Sequence, residues 1–119
     1  MRFFILATVV LSGPVACERA CTTDARPGLS VSVVDSVTGA LVCAATVTAT
    51  DGSYSETLRT LDPLSSADGG TQCVFFGAGE RAGTYTVDAT AEGRESRVTG
   101  IEVTRNDCHV IPREITLKL

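Results

Sequence analysis

Apolar and polar residues alternate one for one in several short runs of the chain, with turn-forming residues between them. In residues 28–35 (GLSVSVVD), Leu29, Val31 and Val33 fall on one side and polar neighbours on the other. That period of two predicts a half-buried strand. Residues 44–58 carry Asp51-Gly52 between two alternating runs, a strong short-range hairpin signal. Residues 72–76 (QCVFF) read as a short strand, with Val74-Phe75-Phe76 expected in the core rather than on a partner-binding edge. Tyr85, Val87 and Ala89 share one face of residues 84–91, and residues 97–105 follow the EGRES turn. The chain ends in a strand that aligns Ile115, Leu117 and Leu119. Turns are expected at SVTG (36–39) and GAGERAG (77–83), and the longest loop at 62–71. Apolar stripes at helical spacing, free of Gly, Pro or Thr runs, are absent after residue 16, as are internal repeats. The pattern predicts one all-β domain of seven short strands at sandwich spacing.

The first residues follow another logic. Met1-Arg2 precedes a nine-residue, largely apolar stretch, FFILATVVL, too short for a membrane-spanning helix of roughly 20 residues. The length suits the apolar region of a secretory signal. Ser12-Gly13-Pro14-Val15-Ala16-Cys17 then resembles the lipobox of bacterial lipoproteins, although Pro14 stands where leucine is usual. The expectation is a signal peptide over 1–16, a lipid on Cys17, a tether over 17–27 and a domain over 28–119. Soluble secretion is the alternative.

Composition supports an exported β protein. Between residues 17 and 119 lie 15 Thr, 11 Val and 3 Ile, β-branched residues that favour pleated surfaces. The five cysteines are Cys17, Cys21, Cys43, Cys73 and Cys108. If Cys17 holds lipid, the other four make two disulfides, as an oxidising compartment favours. Four cysteines allow three pairings, and their spacing alone does not choose among them. Zinc is disfavoured, because no C-x-x-C pair occurs and His109 is the single histidine. Ten basic residues stand against 14 acidic, for a net charge of −4. With no basic stripe to neutralise phosphates, nucleic acid is not an expected partner. Membrane contact would come through the acyl chains.

VVDSVTGALVCAATVTATDG, ERAGTYTVDATAEGR and the closing ITLKL occur in an order that resembles the carboxypeptidase regulatory-like domain. The resemblance spans about residues 28–119. It implies a transthyretin-like (prealbumin-like), seven-stranded Greek-key sandwich, used in exported bacterial proteins as a structural or interaction module without chemistry of its own. In that topology the last strand runs beside the first. The implied pairing is Cys43–Cys73 with Cys21–Cys108. Relatives on the fold include 5-hydroxyisourate hydrolase, but Ser32 replaces its catalytic histidine, and Thr116-Leu117-Lys118-Leu119 replaces its Tyr-Arg-Gly-Ser ending. The intradiol dioxygenases need two Tyr and two His for iron, whereas this chain has Tyr54, Tyr85 and one His.

Other candidates for chemistry favour structural roles. His109 is the single histidine, the residue type suited to proton transfer near neutrality, and adjacent Asp107 would point to the opposite strand face. A capping or surface role is therefore expected for it. Glu80-Arg81, in a Gly-flanked turn, is expected to form a local ion pair, with a ligand-contacting interaction loop as the alternative. Asp62 and Asp68 lack calcium-loop spacing, and Gly77, Gly79 and Gly83 do not follow a phosphate-binding pattern. No cofactor or metal is expected. Together these features suggest a monomeric, non-catalytic module on the bacterial envelope that engages an envelope protein or glycan. The rivals are a hydrolase on the same fold and a purely structural spacer.

Overall fold

The computed structural model describes residues 21–60 and 73–119. The expected signal peptide, the lipid site Cys17, the start of the tether and the 62–71 loop with Asp62 and Asp68 lie outside these residues. Among the described residues there is no helix. Eight strand segments occur in chain order: β1 (Leu29–Val34), β2 (Thr46–Asp51), β3 (Tyr54–Thr57), β4 (Arg59–Thr60), β5 (Phe75–Gly77), β6 (Gly83–Ala91), β7 (Arg94–Val103) and β8 (Arg113–Lys118). They form two four-stranded sheets, ordered β4-β5-β1-β8 and β3-β2-β6-β7.

The alternating pattern becomes a two-sheet core. Leu29, Val31, Val33, Phe75 and Leu117 of one sheet meet Val47, Ala49, Tyr85, Val87, Ala89, Ile101 and Val103 of the other. These side chains are all buried, as the period of two requires when one face of each sheet is covered. Ile115 is only partly buried and packs at the margin of this core. The run expected as one core strand at 72–76 also divides by face. Phe75 is buried, whereas Val74 and Phe76 are half-buried.

The third expected strand, which ends at Leu58, is followed by a further short segment in the other sheet. Tyr54–Thr57 pairs with β2, whereas Arg59–Thr60 pairs with β5 in the other sheet. Leu58 sits at the corner, 4% exposed, with its N–H donated to the Val47 carbonyl at 2.8 Å. The corner demands a bare backbone on β5. A Cβ at Gly77 would lie 2.0 Å from Leu58 Cδ2. The hairpin expected at Asp51-Gly52 is present, with Asp51 paired to Tyr54 and Gly52-Ser53 as its two-residue loop.

β8 runs parallel to β1 in register from Leu29–Arg113 to Val34–Lys118. The last strand thus lies beside the first. Both disulfides form, Cys21–Cys108 and Cys43–Cys73, with Cα separations of 5.2 and 5.5 Å. Those distances lie within the range a disulfide bridges.

Candidate functional site

β5 ends in the 78–82 turn, where two side-chain-bearing residues adopt the left-handed region: Ala78 (φ 52°) and Glu80 (φ 50°). Residues with a Cβ rarely sit there, and they persist where surrounding bonds over-determine them. Ala78 donates its N–H to Glu56 Oε2 at 2.9 Å. Its carbonyl accepts from Gly28 at 3.0 Å and Arg81 at 3.1 Å. A Cβ on Gly28 would approach that carbonyl to 2.7 Å, so the N-terminal segment passes here on glycine.

Glu80 is held more tightly still. Its N–H donates to the Arg26 carbonyl at 3.0 Å. Oε1 accepts from the Arg26 N–H at 2.9 Å and from His109 Nδ1 at 2.6 Å, and Oε2 from the Val110 N–H at 3.2 Å. The Arg26 N–H, followed by the imidazole of His109, lowers the carboxyl's pKa below its ordinary value. One carboxylate therefore joins the segment entering β1 to the segment entering β8.

Of the capping and surface roles expected for His109, the surface one is corrected, since the residue is 7% exposed. Its carboxylate partner is not the neighbouring Asp107 but Glu80, brought from another turn. On its far side, Nε2 lies 2.9 Å from Thr22 Oγ1. Asn106 shapes the backbone beneath it, its Oδ1 accepting from the N–H groups of Cys108 and His109, both at 2.9 Å. Sequence reasoning missed this convergence. The signal was present, since Thr22 follows Cys21 and His109 follows Cys108, and the implied bridge would bring both successors together.

A carboxylate, an imidazole and a hydroxyl in this order resemble a proton-relay triad. The Glu80 carboxylate accepts from Nδ1, and the Thr22 hydroxyl is the largest influence holding the Asp24 carboxyl below its ordinary pKa.

Arg81 turns to the other side of the loop, so the expected Glu80–Arg81 ion pair does not form. The left-handed turn at Glu80 sends the two side chains apart. Arg81 Nη1 donates to Asp51 Oδ2 at 3.0 Å and to the Tyr85 hydroxyl at 2.9 Å, and that hydroxyl donates to the Arg81 carbonyl at 2.8 Å. The guanidinium lies 3.8 Å from the centroid of the Tyr54 ring, a cation–π contact. Tyr54 in turn donates to Glu56, which with burial raises the phenol's pKa to about 12. Both residues expected as an interaction loop are thus engaged within the fold. Ser32 is half-buried on the face of β1 away from the core.

Among the described residues no group of three or more His, Cys, Asp or Glu side chains is placed to hold a metal ion. No protein-family model, curated protein or solved structure matches the chain.

Proposed function

We propose that this protein is an exported, non-catalytic interaction module: a disulfide-stapled β-sandwich, similar to carboxypeptidase regulatory-like domains, carried on the bacterial envelope by a lipid on Cys17. The observation that carries the reading is the use made of the chain's reactive groups. Four cysteines are consumed as staples. The one imidazole, with Glu80 and Thr22, fastens the segment leading from the proposed anchor to the body of the domain. Two disulfides fit an oxidising compartment. The parallel β1–β8 pairing and the Cys21–Cys108 and Cys43–Cys73 bridges agree with what the resemblance implies, and a Greek-key sandwich of its kind is part of the proposal.

The Thr22–His109–Glu80 order gives the rival reading, an acyl-transfer enzyme, its one specific support. The two are separated by exposing the disulfide-intact protein to p-nitrophenyl acetate and a fluorophosphonate probe. No turnover and no label on Thr22 are expected. Turnover that disappears in His109→Ala would overturn the non-catalytic reading. Export and anchoring are tested by fractionation and intact mass. The protein should partition with membranes, with an acylated N-terminal Cys17, and Cys17→Ser should release it.

A further inference from the structure

The outer face of the β4-β5-β1-β8 sheet carries groups that the core and the His109 lock do not use. Register places Arg59 beside Phe76, Phe76 beside Ser30, and Ser30 beside Glu114, one row across all four strands. The alternation that buries Leu29, Val31 and Val33 turns Ser30 and Ser32 outward, with Thr116 beside Ser32. Serines on the central strand leave a trough between larger neighbours. A cavity of about 460 Å³ lies there, lined by Ser30, Ser32, Phe76, Glu114 and Thr116 among others. A second, of about 510 Å³, is lined by Ala25, Pro27, Gly77 and Gly79 with Arg26 and Glu56. Phe76 lines both, so they meet at one aromatic ring. Each falls in the range of roughly 300–1,000 Å³ usual for ligand sites.

We propose that this trough binds a neutral oligosaccharide chain, with Phe76 as the platform on which one sugar ring stacks. The inference rests on the interaction-module reading above. An extended peptide gains affinity by adding to a sheet edge, where backbone groups are free. Around Ser30, β1 is paired on both sides, to β5 and to β8, so on the floor of the trough side chains do the recognising. The lining combines hydroxyls, a carboxylate, an aromatic ring and the aliphatic Val74 and Ile115, which match a ligand of many hydroxyls and apolar ring faces. The charges are mixed: Glu114 and Glu56 stand against Arg59 and Arg26, and Arg26 is ion-paired with Asp24 at 3.7 Å. A phosphate- or sulfate-bearing ligand would meet no cationic cluster here.

The test is calorimetric titration of the purified, disulfide-intact protein with cellotetraose, chitotetraose and maltotetraose, with amide shifts followed by NMR. At least one should saturate and shift the amides of Ser30, Phe76 and Thr116. Phe76→Ala should weaken binding about tenfold. Ser32→Phe, which fills the trough without touching the core, should abolish it. Val98→Ala, on the other sheet, should change nothing. Failure of all three saccharides to saturate overturns the proposal, as does saturation that survives both trough variants, or a trough that binds only peptides. Cleavage of the saccharide or of p-nitrophenyl acetate would instead overturn the non-catalytic module, so the two failures are distinguishable.

Discussion

Thr22 Oγ1 and His109 Nε2 lie 2.9 Å apart because each residue directly follows one half of the Cys21–Cys108 bridge. The covalent link sets the register of two segments separated by 87 residues, and the hydrogen bonds then fix their orientation. Glu80 completes the lock from a third segment, with its backbone in a conformation that few side-chain-bearing residues adopt.

The lock should behave as a unit. His109→Ala removes a buried ring with two polar contacts and should destabilise the domain by about 1–3 kcal/mol in urea unfolding. Thr22→Val should cost less alone. The double variant should fall short of additivity by roughly 0.5 kcal/mol or more, as contacting residues do. Full additivity would mean that the 2.9 Å contact contributes nothing to stability.

The two bridges should differ in worth. Loop-closure entropy gives roughly 4–5 kcal/mol for the 87-residue separation and about 3–4 for the 30-residue one. Replacing Cys21 and Cys108 by serine should therefore lower the urea midpoint further than replacing Cys43 and Cys73. It should also expose the 21–27 segment to proteolysis before the sheets open. Equal midpoints for the two paired variants would show that loop-closure entropy does not set the difference between the bridges.

Much of the sandwich was legible in the chain because its strands are simple. Leu29, Val31, Val33, Tyr85, Val87 and Ala89 follow the period of two, and all six are fully buried. Where two rules meet in one run, periodicity misleads. Leu58 ends the expected run at 44–58, and the short β4 beyond it was not expected, because a buried corner residue passes the chain from one sheet to the other. His109 and Glu80 escaped for a different reason. Their meeting depends on a bridge and a left-handed turn, neither of which has a hydrophobic period. Arg81 looked like the natural partner of Glu80 from adjacency, but a left-handed backbone separates neighbours.

Gly77, the last residue of β5, and Gly79, in the turn that follows, stand two residues apart and should respond differently to the same methyl group. At Gly77 a Cβ would meet Leu58 Cδ2 at 2.0 Å, and Leu58 is buried against the core. Gly77→Ala should cost about 1–3 kcal/mol as overpacking, and Leu58→Val in the same chain should recover part of it. At Gly79 nothing lies within 4 Å of the added carbon. Gly79→Ala should leave the thermal midpoint within about 2 °C of wild type, a surface change without a contact to disturb.

Asp35 should set the acid limb of stability. Oδ1 accepts from the N–H groups of Val37 at 2.8 Å and Thr38 at 3.0 Å, and Oδ2 from Arg94 at 2.9 Å. The Thr38 N–H, then Arg94 and the Val37 N–H, lower its pKa from 3.8 to about 2. A folded pKa below the unfolded one means that the unfolded chain takes up the proton first as the pH falls. The contribution is therefore complete above about pH 4 and is lost between that point and about pH 2. Glu80, also lowered, adds to the loss in the same direction. Asp35→Asn keeps an oxygen for the two turn N–H groups but cannot pair with Arg94 as an anion. Its stability should lie below wild type at pH 6, and the gap should narrow on acidification until the two curves approach one another near pH 2. Urea midpoints of both proteins at several pH values from 2 to 6 check this. A gap of constant size across the range would place the acid sensitivity in a carboxylate other than Asp35.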